Sequence, residues 1–255
     1  MVVAMRKSRL DVKSLSSEYY DNDTGESTIG LFNASKDGYR IAPSRKIPLP
    51  WPYSHGMASK TAKHMEDIFQ TTVKEILDRC NITPSSIRVL QMWRRGMEST
   101  SKDTMVVSTD DTDTTMWPLA ADNIYDAILP WATEASLPFR VEINNQNLMY
   151  TDISTALSFD KDVREAMSRI DPLILAKVIS LIPEAWGSVT AHGRQPLNTP
   201  YGDKDLNIPT VIVLVHTGSK SVSELVEDQL RRVVEDVTPS DMNISLEIPP
   251  ANFVC

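Results

Sequence analysis

The sequence predicts an α+β protein built from two copies of one helix-strand-strand-helix-strand unit. Three observations carry that expectation. Apolar residues recur at helical spacing in some stretches and in short β-rich runs in others, in the same order in both halves. FRVEINNQNLMY, at residues 139–150, has an echo in ISLEIPPANFVC, at residues 244–255. Each carries Glu-Ile, three linker residues, Asn and a large apolar side chain. The spacing matches too: Thr104 lies 38 residues before Glu142, and Thr210 lies 37 before Glu247.

Residues 1–58 form the first segment, an irregular Pro-rich arm. Pro43, Pro48, Pro50 and Pro52 fix backbone angles and remove donors, so the chain there is extended. Such an arm either lies across its own body, anchored by Trp51 and Tyr53, or docks to a partner's aromatic groove.

Residues 59–155 form the first unit. Ala62, Met65, Ile68, Phe69, Val73, Ile76, Leu77 and Cys80 step by three and four, which predicts an amphipathic helix ending before Pro84. Ser59 or Thr61 is placed to cap it. SIRVLQMWRRG and DTMVVSTDD predict a hairpin. A helix from about Trp117 to Ala135 follows, kinked or ended at Pro130. LPFRVEIN is a strand with Phe139, Val141 and Ile143 on one face.

Residues 156–255 form the second unit and repeat that order. DKDVREAMSRIDPLILAKVISLI is helical with a break at Pro172, EAWGSVTAHGR and TVIVLVHTG are strands, and SVSELVEDQLRRVVEDV is a helix with a capping box at Ser221 and Glu224. MNISLEIP closes the unit. The sum is two lobes, or one pseudo-symmetric body of about six strands with helices packed alongside, and the sheet is mixed because the paired strands before each second helix are antiparallel. In this reading Arg95 corresponds to Arg194 and Trp93 to His192.

The net charge of -8 and pI near 5.1 argue against a generic nucleic-acid or anionic-membrane binder. Two cysteines imply no disulfide framework and fit a reducing, cytoplasmic setting. No apolar run approaches the roughly 20 residues of a membrane span, and the N-terminus has no secretory pattern.

At W…LPFRVEI and TVIVLVHTGS…LEIPP the chain resembles the amino-terminal portion of a set of uncharacterised filamentous-fungal proteins with a duplicated strand-helix-strand unit. The resemblance covers roughly residues 85–250 and rests on hydrophobic motifs. Longer proteins of that kind continue into a glycine-rich, protease-like segment. The resemblance implies a fungal, intracellular origin and no particular activity.

Motifs for nucleotide, metal or nucleophilic chemistry do not occur, and the four histidines and two cysteines are too scattered for a closed zinc site. No cofactor is expected. Chemistry is best sought at His192 and His216, which meet if their strands pair near the same end, as acid and base. Arg194, Lys220 and Arg95 are the candidate anion-binding residues, Lys220 lying just before a helix. Asp110 and Asp111 occupy the equivalent place in the first unit and read as a turn-forming acidic loop. Two functions follow. The first is an interaction or ligand-binding module for a protein partner or small anionic ligand, with a homo-oligomer compatible. The second is a small hydrolase or isomerase acting on an acidic small molecule at His192, Arg194 and His216.

Overall fold

A computed structural model describes residues 29–43, 46–95, 97–150, 154–157, 161–194, 207–216, 219 and 223–251. Among them are five helices and two mixed five-stranded sheets, so the class is α+β. The chain divides into two compact units. One holds Asn33–Tyr150; the other holds Thr151–Cys255 together with Glu26–Phe32.

The first unit holds β1 (Arg40–Ile41), β2 (Tyr53–Met57), α2 (Lys60–Arg79), β3 (Pro84–Arg94), β4 (Lys102–Thr109), α3 (Trp117–Glu134) and β5 (Phe139–Asn144). Helix α1 (Ile29–Lys36) precedes β1. The sheet order is β1-β5-β4-β3-β2, with β4 and β5 parallel and every other pair antiparallel. Helices α2 and α3 bury their apolar faces against one side of this sheet. Met65, Leu77, Met105, Trp117, Ile124, Ile128 and Ile143 are fully buried in that core.

Local chemistry fixes the ends of α2. The Ser59 hydroxyl accepts a hydrogen bond from the Ala62 N–H at 3.1 Å, as an N-cap should. The same hydroxyl donates to the buried Asp103 Oδ2 at 2.7 Å, so β4 holds the cap in position. At the other end Asn81 turns left-handed (φ 55°), and the Ile82 N–H reaches back to the Leu77 carbonyl. Helix α3 ends the same way, with Ser136 left-handed and Leu137 N–H donating to Ala132. Ser59→Ala is expected to lower stability by about 1 kcal/mol in urea melts.

The second unit holds β6 (Ser154–Thr155), α4 (Lys161–Leu181), β7 (Trp186–Arg194), β8 (Ile208–His216), α5 (Ser223–Val237), β9 (Ser245–Glu247) and β10 (Pro250–Ala251). Strand β8 pairs antiparallel with β7 and parallel with both β9 and β10, and β6 flanks β7. Ile170, Ile174 and Val178 of α4, Leu230 and Val234 of α5, and Val211, Val213 and Val215 of β8 are buried.

The repeated order is therefore β-α-β-β-α-β, one strand longer than the sequence suggested. Its path β5-β4-β3-β2 matches β9-β8-β7-β6. Both first helices end five residues before the next strand, Arg79 before Pro84 and Leu181 before Trp186. A register irregularity falls at the same place in each hairpin, between Pro84 and Ser86 and between Trp186 and Ser188. Thr104 pairs with Leu90 and Arg140, and Thr210 with His192 and Ser245. Thr104 thus corresponds to Thr210 and Glu142 to Glu247, as the echo implied.

Four expectations are corrected. The strands number five in each of two sheets rather than about six in all, because strands outside the recognised runs complete each sheet. The register makes Leu90 the counterpart of His192 and Met92 that of Arg194, so Arg95 and Trp93 are not the equivalents. Neither proline breaks its helix: α3 runs past Pro130 and α4 past Pro172. Both prolines face solvent, where water can take the freed carbonyl. Finally, the Pro-rich arm contributes α1 and two strands. Residues 1–28 and the capping box at Ser221 lie outside the described residues.

The extended stretch between β1 and β2 has a geometric purpose. Those strands are opposite edges of one sheet, four strand spacings or roughly 19 Å apart, and the chain must cross the sheet to join them. Leu49 lands on the face away from the helices, buried with Met92 and Val106 beside Tyr53 and Leu90. Lys46 lies over the Tyr125 ring at 3.8 Å, and Trp51 meets Tyr150 edge-on at 5.8 Å. From Lys46 to Tyr53 the arm is a strap on the first unit.

Candidate functional site

The two histidines singled out from sequence do not converge. His192 pairs with Thr210, whereas His216 ends β8 six positions further on (216 − 210). At about 3.4 Å per residue the histidines are separated by roughly 20 Å. A shared acid–base cleft at His192, Arg194 and His216 is therefore not assembled. Arg95 sits exposed in the turn after β3, its N–H donating to the Pro52 carbonyl at 3.2 Å. Lys220 lies outside the described residues. Among the described residues no group of three or more His, Cys, Asp or Glu is arranged to hold a metal ion. None of the described helices is long and apolar enough to cross a membrane.

Arg194 has a structural task. Its Nε and Nη2 donate to Glu247 Oε2 at 3.1 and 2.7 Å, and its Nη1 donates to Ser154 Oγ at 2.7 Å. One arginine thus fastens β6, β7 and β9. The first unit solves the same problem from another strand. There Arg40, on the outer strand β1, grips Glu142 in a bidentate pair at 2.8 and 2.7 Å. The echoed glutamates are both ion-paired, but by arginines from non-equivalent strands.

The Arg40 pair anchors a buried polar layer on the sheet face away from the helices. Asn144 Nδ2 donates to Glu142 Oε1, and Ser108 Oγ donates to Asn144 Oδ1 at 3.0 Å. Gln146 Nε2 donates to Ser108 Oγ. The Arg40 guanidinium lies 4.8 Å from the centre of the Tyr53 ring. Burial opposes the charge on Arg40, but Glu142, through its charge and hydrogen bonds, more than offsets this and raises the Arg40 pKa. Burial likewise raises the pKa of Asp37, which accepts from the Tyr39 and Tyr150 N–H groups and feels the opposing charge of Arg40. The Tyr53 hydroxyl is pushed up by burial as well. Side chains of Arg40 and Glu142 are each 2% exposed, so this layer is a clamp within the sheet.

The acidic loop after β4 behaves as turn chemistry. Asp111 Oδ2 accepts from the Thr83 N–H, Asp110 Oδ1 from Asn147 Nδ2, and Asp113 Oδ1 from both the N–H and the hydroxyl of Thr115. Those last two bonds lower the Asp113 pKa.

No family model matches the chain. No curated protein is significantly similar to it.

The open chemistry lies instead at an element the sequence hid, the edge strand β2. Among the described residues it has β3 on one side and no strand on the other. The Arg95 N–H bonds the Pro52 carbonyl, which makes residues 52 and 95 a closely bonded antiparallel pair. Alternation then gives Ser54 with Trp93 and Gly56 with Gln91 as the next such pairs. Tyr53, His55 and Met57 consequently aim their N–H and C=O groups away from β3. Among the described residues none of these outward groups has a hydrogen-bond partner. Met57 is 92% exposed and His55 is exposed. No Lys, Arg, Asp or Glu interrupts YSHGM, so the edge lacks the charges that commonly block strand addition.

Proposed function

We propose that this chain is a protein-interaction module that receives an extended polypeptide segment on β2. The observation that carries the reading is the row of outward backbone groups at Tyr53, His55 and Met57 on an exposed, uncharged edge. An added strand satisfies donors and acceptors that otherwise face water, and its alternate side chains read the two sheet faces. On one face it meets Met57. On the other it meets Gly56, where the absence of a side chain leaves room for the Trp93 indole; a Cβ at Gly56 would stand 3.3 Å from Trp93 Cη2. A strand with an apolar residue opposite Gly56 gains contact with that ring.

The test is selection from a displayed library of random nonapeptides on the full chain. Enriched peptides are expected to share an extended, alternating pattern. Their retention should fall roughly tenfold or more in His55→Pro, which deletes one outward donor and leaves the β3 pairing intact. Met57→Lys should weaken binding in the same direction. Failure to enrich any peptide, or retention by both variants equal to that of the native chain, sinks the reading.

A further inference from the structure

The open edge has a length and symmetry that specify its partner, and we infer that the strand added to β2 is β2 of a second copy of this chain. The inference rests on strand addition at β2 and deepens it by naming the occupant.

The edge is bounded at both ends. Before Tyr53 the chain leaves the strand: residues 51–52 form a bend, and Trp51 packs edge-on against Tyr150 at 5.8 Å. Beyond Met57, the Ser59 N–H donates to Asp103 Oδ1 at 3.0 Å, and α2 begins at Lys60. Between these limits the outward residues are Tyr53, His55 and Met57, an odd number centred on His55. An antiparallel copy turned about a two-fold axis through His55 sets His55 against His55 and Tyr53 against Met57, twice. Each of these is then a closely bonded pair, so every outward N–H and C=O finds a partner and none is left over. A segment in another register leaves groups unpaired or runs into the blocked ends.

The side chains obey the same symmetry. On one face each Met57 lies across from the half-buried Tyr53 ring of the other copy, which covers the most exposed large apolar residue of the described chain. On the other face Ser54 meets Gly56, two small residues at the positions where opposed strands approach most closely, about 4.5 Å between Cα atoms. The strand carries no formal charge, so the chain's net charge of -8 is not concentrated at the contact. The result is one continuous ten-stranded sheet across the axis, two copies of the five-stranded sheet of the first unit. Contact through two five-residue strands is small, which makes the dimer weak and concentration-dependent.

The experiment combines sedimentation velocity of the full chain over a concentration series with oxidative cross-linking of single-cysteine variants. A Cys255→Ser background removes the terminal thiol, and Cys80 is buried. Closely bonded residues sit about 5.5 Å apart at Cα, within disulfide reach. His55→Cys is therefore expected to give a covalent dimer. Tyr53→Cys alone should give none, yet it should cross-link when mixed with Met57→Cys. The unmodified chain should shift from monomer towards dimer as concentration rises, and His55→Pro should abolish that shift. A chain that stays monomeric throughout overturns the inference, as does cross-linking of Tyr53→Cys alone as efficient as that of His55→Cys. If the chain is monomeric while selected extended peptides still bind and are lost with His55→Pro, self-pairing is wrong and strand addition stands. If peptides also fail to bind, both fall together.

Discussion

Arg40→Met is expected to cost about 3–5 kcal/mol of stability, because it leaves Glu142 charged, buried and without its cation. The pair is bidentate, and each side chain is 2% exposed, so no water reaches the carboxylate to replace the guanidinium. Asn144 bonds one Glu142 oxygen but cannot neutralise it. The paired change Arg40→Met with Glu142→Leu should recover most of the loss, since removing both charges removes the desolvation cost as well. The second unit supplies an internal control. Arg194→Met strips the equivalent glutamate, but Glu247 is 22% exposed and keeps access to water, so the loss should be smaller. Urea unfolding followed by tryptophan fluorescence separates the two, because Trp51, Trp93, Trp117 and Trp131 lie in the first unit and only Trp186 in the second. Equal losses in the two variants contradict the burial argument.

The contrast between these two arginines shows how far the sequence could be read. Glu142 and Glu247 were visible as an echo because each lies in a strand whose neighbours alternate or run apolar. Their partners were not. Arg40 belongs to a two-residue strand, too short for any periodicity, and β2 is YSHGM, with no alternating pattern. Both are held in place by the strap between them and by pairing with strands far along the chain, contacts that local sequence does not encode. Helix α2 was legible to its cap, because Ser59 and the three-and-four spacing are local signals. The histidine pairing failed for the opposite reason. Strands β7 and β8 were recognised, but the segment between Arg194 and Ile208 is long enough to allow several registers, and the native one leaves His216 at the far end. The candidate site was hidden twice over, in a strand without pattern and in backbone groups whose availability depends on which side of β2 is paired.

Trp117→Ala should be about as severe as Arg40→Met, again about 3–5 kcal/mol, by a different route. Trp117 is 0% exposed at the start of α3 and meets the Tyr39 ring edge-on at 6.5 Å. Its removal opens a cavity where α3 enters the core, among Met105, Ala121, Ile124 and other fully buried residues. The indole Nε1 is buried without a hydrogen-bond partner, so the native residue carries an uncompensated polar cost beside its packing gain. That sets a sign test. Trp117→Phe loses part of the ring volume but also discards the unpaired donor, and it should cost distinctly less than Trp117→Ala. The midpoint of urea unfolding should fall in the order native, Phe, Ala with an unchanged slope, as a change in stability requires. A phenylalanine variant as unstable as the alanine variant would mean that the indole N–H has a favourable partner, and that packing alone does not explain why tryptophan occupies this position.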